Sequence, residues 1–171
     1  HGRKTAAIVA DIVAQAATRR GVMIFAATIQ HAEEVMARLP PRLSAMVTGD
    51  TGSKERKRIL TEFKAQRFKY LVNVAVLTTG VDVPHVDVIA LLRATESVGL
   101  LQQIIGRGAR ICEGKQDFLV LDYAENIERH CHDGDLFAPE VRVSKKATDG
   151  GSADIECPSC GGVNAAGLRP N

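Results

Sequence analysis

Short apolar runs alternate along this chain with amphipathic segments, and this alternation constrains the fold more than any other feature. The apolar runs have the length of buried strands and lie at 22–27, 43–48, 70–74, 86–92 and 118–122. Helical spacing of apolar residues marks the segments at 6–19, 29–38, 54–66, 97–110 and 124–131, with Ser53 expected as the N-cap of the third. Strands that alternate with helices predict an α/β fold, a parallel sheet covered by helices on both faces.

The length of 171 residues suits one well-packed domain and a small appendage. From Asp133 onward the sequence is polar and rich in glycine, without sustained periodicity. We therefore expect a domain at 1–132, a linker at 133–152 and the start of a small irregular region at 153–171. Because the chain opens at His1 and stops just after a Cys-x-x-Cys, we expect it to be a piece of a longer protein.

Charge is divided unevenly between the two parts of the chain. Residues 1–70 hold 13 Lys and Arg against 6 Asp and Glu, a balance of +7, whereas residues 71–171 hold 9 against 14, a balance of −5. The basic part could face a polyanion, or it could be the solvated face of a helix. With seven aromatic residues and no tryptophan, contact with nucleic acid through phosphates is easier to support than base stacking.

No apolar run reaches the length of a membrane span, so no membrane partner is expected. The four cysteines do not form the dense framework of a secreted domain. These observations favour a cytoplasmic protein with reduced thiols.

The segment at 101–110, with the spacing Q-x-x-G-R-x-x-R, is the strongest candidate for chemistry. On one helix, Gln103, Arg107 and Arg110 would fall within about a 60° arc and could grip a phosphoryl group. Ordinary surface ion pairs are the alternative. Gly106 and Gly108 argue against an ordinary helix, because each costs it roughly 1 kcal/mol relative to alanine.

Four segments in order resemble the second RecA-like lobe of superfamily 2 helicases and translocases. The resemblance is closest to the RadD (YejH) type of bacterial DNA-repair helicase, whose lobes are followed by a zinc-binding region. The matching segments are 23–28, similar to motif IV; 47–50, similar to the segment before the second helix of the lobe; 77–84, similar to motif V; and 103–110, similar to motif VI.

The resemblance implies a role for each candidate residue. Arg107 and Arg110 would be arginine fingers that stabilise charge on the γ-phosphate of ATP, and Gln103 would help to position that phosphate or the attacking water. The nucleotide would also meet the Gly80 backbone and the Asp82 carboxylate, the latter through a ribose hydroxyl. Contacts to strand phosphates would come from Thr28, Thr48, Gly49, Thr78 and Thr79.

Simpler interpretations exist for several of these residues. Thr28 could be only an N-cap, and Thr78 to Asp82 could be a plain turn before Pro84. The motor interpretation requires Arg107 and Arg110 to face a gap between lobes. It would fail if they turned away from that gap or were locked into internal ion pairs.

Two motifs of a complete ATP site are missing from the sequence. No G-x-x-x-x-G-K-[ST] occurs, and no Asp-Glu pair suited to magnesium closes a strand. ATP and Mg²⁺ would therefore be bound mainly by an N-terminal RecA-like lobe of the same protein. The implied partners are single-stranded or branched DNA, with single-stranded-DNA-binding protein and other repair proteins as further candidates.

Cys157 and Cys160 are spaced as half of a zinc knuckle, and a pair of free thiols is the alternative. The other zinc ligands would come from beyond Asn171 or from 130–132. Two rival functions also stay open. One is an RNA helicase lobe, although such lobes usually carry histidine and arginine where Gln103 and Ile104 stand. The other is a non-catalytic nucleic-acid-binding or protein-docking module with the same fold.

Overall fold

The computed structural model describes residues 2–74 and 82–131, together with the backbone of 155–156 and 163–164. The chain divides into two units, His1–Pro139 and Glu140–Asn171. In the first unit the helices are α1 (Gly2–Gln15), α2 (Ile29–Met36), α3 (Ser53–Lys64), α4 (Val98–Ile105) and α5 (Asn126–His130). The strands of that unit are β1 (Val22–Phe25), β2 (Ser44–Val47), β3 (Tyr70–Asn73), β4 (Val88–Leu91) and β5 (Leu119–Asp122).

These five strands form one parallel sheet in the order β2-β3-β1-β4-β5. Buried side chains alternate between its two faces, as strand geometry requires. One face packs on α1 and α2 through residues such as Ile12, Ile24 and Val35. The other packs on α3 and α4 through residues such as Phe25, Phe63 and Leu101. The predicted parallel sheet with helices on both faces is therefore confirmed.

Several predicted helix bounds differ from the structure. The first helix, predicted at 6–19, spans Gly2–Gln15. Gly52, not Ser53, is the N-cap of α3, and no side chain caps that helix. The predicted helix at 97–110 ends at Ile105, five residues early. Ser97 does cap its start, where its Oγ accepts a hydrogen bond from the Leu100 amide at 3.2 Å.

The second unit contains one described element, an antiparallel pair of two-residue strands. These are β6 (Ile155–Glu156) and β7 (Val163–Asn164), with Ile155 opposite Asn164. No helix in the described ranges, 2–74 and 82–131, is both long and apolar enough to cross a membrane.

Candidate functional site

The arginine-bearing segment leaves the helix at Gly106. Gly106 caps α4, and its amide donates to the Gln102 carbonyl at 2.8 Å. A Cβ at this position would lie only 3.0 Å from the same oxygen, so the turn favours glycine. The prediction of one continuous helix through Arg110 was wrong, because the chain turns here.

Gly108 brings this turn close to the sheet. A Cβ on Gly108 would lie 2.6 Å from Phe118 Cδ2 and 3.0 Å from Ile89 Cγ1. Real side chains do not approach that closely, so only glycine fits without displacement of the neighbours. The close backbone approach expected from the glycine pair is thus present. It fixes the backbone positions from which the Arg107 and Arg110 side chains extend.

Arg107 is buried, with 5% of its surface exposed. Burial lowers its pKa, and the nearby positive charge of Arg110 lowers it further. An arginine stays protonated in proteins despite such shifts. The turn therefore holds two like charges near each other, an arrangement that an anion would stabilise.

Arg110 is exposed, and it forms an ion pair with Asp82, another candidate residue. Lys64 Nζ lies 3.6 Å from the second carboxylate oxygen of Asp82. The arginine-finger interpretation required Arg110 to be outside internal ion pairs, and the structure differs from it here. Exposed pairs of this kind contribute only about 0–1 kcal/mol, so another anion could displace the carboxylate at little cost.

Gln103 lies on the exposed side of the last turn of α4, whereas Arg107 is buried. The sequence suggested that these two side chains share one exposed helical face, and the structure shows that they do not. The structure brings Arg107 near Arg110, and it pairs Arg110 with Asp82.

Thr28 follows β1 and is the N-cap of α2. Its Oγ1 accepts a hydrogen bond from the His31 amide at 3.1 Å. The capping role is therefore present, and because Thr28 is exposed, its hydroxyl proton is still available to donate.

A second turn follows β2 and is built largely from its own residues. The Thr51 hydroxyl accepts from the Thr48 amide at 2.9 Å, and the buried Thr48 hydroxyl accepts from the Asp50 amide at 3.3 Å. Arg56 Nη2 donates to the carbonyls of Thr48 at 3.3 Å, Gly49 at 3.4 Å and Thr51 at 3.1 Å. Gly49 is the exposed backbone of this turn, and a Cβ there would meet nothing within 4 Å.

The two groups of candidates lie at opposite edges of the sheet. Thr28 and the 48–51 turn follow the carboxyl ends of β1 and β2. The turn at 106–110, called the arginine turn below, lies toward the amino edge. Lys115 shows this, because its Nζ lies 2.9 Å from the Arg110 carbonyl and 2.6 Å from the Val86 carbonyl, just before β4 begins. Helix α3 runs between these two edges. Residues of α3, together with Asp82 and Val83, line an open cleft of about 400 Å³. The lining residues from α3 are Ser53, Arg56, Lys57, Leu60, Thr61 and Lys64.

Several predicted site residues lie outside the described residues. They are Thr78, Thr79 and Gly80 in the motif V match, and Cys157 and Cys160 of the predicted zinc knuckle. Within 2–74 and 82–131, no group of three or more His, Cys, Asp or Glu side chains could hold a metal ion. The zinc prediction therefore has no structural support.

Sequence reasoning missed the residues that hold these turns. These residues are Arg56 and Lys115. Both act through long side chains that reach backbone carbonyls of other segments, and no local pattern marks such contacts.

Asn126 was missed as well. It is fully buried and accepts from the Thr95 amide at 2.7 Å, while its own amide donates to the Arg93 carbonyl at 2.9 Å and to Asp122 at 3.0 Å. His130 adds a hydrogen bond between its Nε2 and the Thr95 carbonyl at 2.9 Å. Together these residues fix the loop that leads from β4 into α4.

Known proteins are similar to this chain in sequence and in fold. Residues 4–112 match the family of the helicase conserved C-terminal domain. "Putative mitochondrial ATP-dependent helicase irc3" of Schizosaccharomyces pombe is 36% identical over 117 residues, which cover 67% of this chain and 19% of that protein. The chain thus spans about a fifth of the length of this relative.

Solved structures agree with the sequence match. A fragment of a putative HsdR subunit of a type I restriction enzyme from Vibrio vulnificus has a TM-score of 0.65 at 27% identity, covering 79% of this chain and 29% of that one. Two others share the fold alone. Mycobacterium smegmatis helicase Lhr, bound to ssDNA and AMP-PNP, has a TM-score of 0.58 at 24% identity, covering 67% and 16%. Saccharomyces cerevisiae Dbp5 L327V, bound to RNA and ADP BeF3, has a TM-score of 0.60 at 20% identity, covering 71% and 32%.

The family match extends over more than half of the chain and contains β1 to β4, α4 and the arginine turn. With its RecA-like parallel sheet, the chain belongs to the family of the helicase conserved C-terminal domain, found in ATP-dependent helicases.

Proposed function

We propose that this chain is the second motor lobe of an ATP-dependent DNA helicase or translocase. The observation that carries the proposal is that Arg107 and Arg110 lie near each other on the turn beyond α4, where Arg110 forms an ion pair with Asp82. Two guanidiniums beside one carboxylate suit a nucleotide, which offers phosphates to the first two and a ribose hydroxyl to the third.

In this proposal the arginines act on ATP seated on a neighbouring N-terminal RecA-like lobe. That lobe would supply the phosphate-binding loop and the acidic residues for Mg²⁺, which this sequence lacks. The γ-phosphate would displace Asp82 from Arg110, and Arg107 would add a second charge. Gln103 would position the phosphate or the attacking water, and Gly80 would allow close approach to the nucleotide.

The opposite edge of the sheet would hold the nucleic acid. Thr28 and the Gly49 backbone are exposed there, and Thr48 fixes the turn beneath Gly49. Thr78 and Thr79 of the motif V match would complete a track of contacts to strand phosphates. Closure and release of the two lobes would then move the strand.

The finer assignment is to the RadD type of bacterial DNA-repair helicase, acting in the cytoplasm on single-stranded or branched DNA. Single-stranded-DNA-binding protein and other repair proteins are proposed partners. Zinc at Cys157 and Cys160 belongs to the same assignment. Elemental analysis of a longer chain should find stoichiometric zinc, and its absence would remove the zinc knuckle.

The test compares ATP hydrolysis by the complete protein with no nucleic acid, with single-stranded DNA and with RNA. Preferential stimulation by DNA is expected. Stimulation by RNA alone would favour the rival function, an RNA helicase lobe. The sequence counts against that rival, because Gln103 and Ile104 stand where such lobes usually carry histidine and arginine. No hydrolysis under any condition would favour a non-catalytic module.

A further inference from the structure

The side chain of Lys115 contacts four backbone carbonyls from two separate segments. Its Nζ donates to Gly108 and, at 2.9 Å, to Arg110 in the arginine turn. It also lies 2.6 Å from the Val86 carbonyl and 3.3 Å from that of Pro84, in the segment between Asp82 and β4. One ammonium group therefore joins the backbone of the arginine turn to the backbone that follows Asp82.

This arrangement exceeds what a helix end requires. A cation near the C-terminus of α4 would satisfy exposed carbonyls and interact favourably with the helix dipole. The contacts to Gly108 and Arg110 fit that simpler role. Those to Pro84 and Val86 do not, because they lie 31 and 29 residues away in a different segment.

Lys115 is itself held in place from a third direction. Its amide donates to the Cys112 carbonyl at 3.0 Å, and Gly114 adopts a φ of +75°, which closes the turn. Arg20 Nη1 donates to the Glu113 carbonyl at 2.7 Å. The ammonium is therefore delivered to its four carbonyls by an anchored turn.

We propose that Lys115 is a positioning residue for ATP hydrolysis. It fixes the arginine turn against the Asp82 segment, so that the guanidiniums of Arg107 and Arg110 start at a set distance from the phosphate and the carboxylate. The inference rests on the proposed function, because it assigns Lys115 an effect only through those arginines. A misplacement of about 1 Å at a reacting group can cost about 10²-fold in rate.

Lys69 provides a matched control. Its Nζ also donates to two carbonyls, Ala16 at 2.5 Å and Ala17 at 3.2 Å, and burial lowers the pKa of both lysines. The carbonyls that Lys69 contacts follow α1 and do not belong to the arginine turn. Loss of either lysine should therefore leave backbone carbonyls without this donor, while only the loss of Lys115 should move the arginines.

The experiment measures ATP hydrolysis by the complete protein as wild type, Lys115→Met, Lys69→Met and Arg107→Ala, well below every melting temperature. Lys115→Met should lower kcat by about 10²-fold, with the KM for ATP changed by no more than about twofold. Lys69→Met should keep the wild-type kcat. Lys115→Met should also weaken binding of ADP with aluminium fluoride, which mimics the transferring phosphoryl group, and leave affinity for a non-hydrolysable ATP analogue unchanged.

Equal kcat values in Lys115→Met and Lys69→Met would overturn the inference, as would equal losses of affinity for the two nucleotides. The outcome for the proposed function is separate. If Arg107→Ala hydrolyses ATP at the wild-type rate, the proposed finger role of Arg107 fails. If Arg107→Ala loses ATP hydrolysis and Lys115→Met keeps the wild-type kcat, only the proposed role of Lys115 is lost.

Discussion

The turn after β2 and the turn after α4 both carry candidate phosphate contacts, but they are built in different ways. The first, at 48–51, is held by hydrogen bonds that span at most eight residues, including those from Arg56. The second, at 106–110, depends on Asp82, Pro84 and Val86 through contacts that span 28 to 31 residues. The first turn is therefore built from local contacts, whereas the second depends on tertiary contacts with a distant segment.

The largest effect is expected on the rate of ATP hydrolysis, without a matching effect on DNA binding. In the complete protein, Arg107→Ala should lower kcat by about 10³-fold or more, because an arginine finger can supply 10³–10⁵ in GTPases. DNA affinity, measured by fluorescence anisotropy, should stay near the wild-type value. Arg110→Ala should behave similarly, and an unchanged kcat in both variants would remove the finger assignment.

Substitution of one glycine in each turn compares their packing. Gly108→Ala should destabilise the chain by about 1–3 kcal/mol, because its new Cβ would overlap Phe118 and Ile89. Gly49→Ala should change stability little, since open space surrounds that position. Urea unfolding of both variants measures the difference, and equal midpoints would contradict the packing described for Gly108.

Arg56→Ala tests whether the first turn is held mainly by this side chain. Loss of its hydrogen bonds to the 48–51 carbonyls should loosen the turn and weaken DNA binding by about 1 kcal/mol, roughly fivefold. The kcat without DNA should not change. Arg58→Ala is the control, because Arg58 pairs only with Glu55 and Glu62 on the exposed face of α3 among the described residues. Equal DNA affinity of the two variants would remove the role of Arg56.

The last expected effect is a pH dependence of stability at the amino edge of the sheet. His85 is buried beside Phe63, and burial lowers its pKa, with the charge of Arg20 adding to the effect. The unfolded chain therefore takes up a proton near pH 6.5 that the folded chain does not. Stability should fall as the pH drops below about 6.5, by at most about 1.4 kcal/mol per pH unit.

His85→Gln should flatten this part of the stability curve relative to the wild type. Chemical denaturation between pH 5 and 8 provides the comparison. An unchanged slope in His85→Gln would show that another group is responsible.

The difference between the two turns also explains how far the sequence could be interpreted. Apolar runs such as Val22–Phe25 are dictated by burial on both faces of a sheet, so the order of strands and helices was predictable. Thr28 was predictable as a helix start because capping is local, although the N-cap predicted at Ser53 was wrong. The pairing of Arg110 with Asp82 and the contacts of Lys115 were not, since they depend on tertiary approach of distant segments.

The end of α4 illustrates the limit of a periodic pattern. Helical spacing placed Gln103, Arg107 and Arg110 on one face, but the helix ends at Ile105 and the two arginines extend from a turn. Gly106 and Gly108 carried the relevant signal. Their meaning, however, depended on Phe118 and Ile89, which approach only in the folded chain.

The central claim is that this lobe contributes arginines to a nucleotide held by another lobe. The most direct measurement is Mg²⁺-dependent ATP hydrolysis by the purified 171-residue chain, shown to be folded by its cooperative thermal melting, beside the complete protein at the same concentration. We expect negligible turnover by the chain alone and DNA-stimulated turnover by the complete protein. Robust Mg²⁺-dependent turnover by the isolated chain would contradict the account.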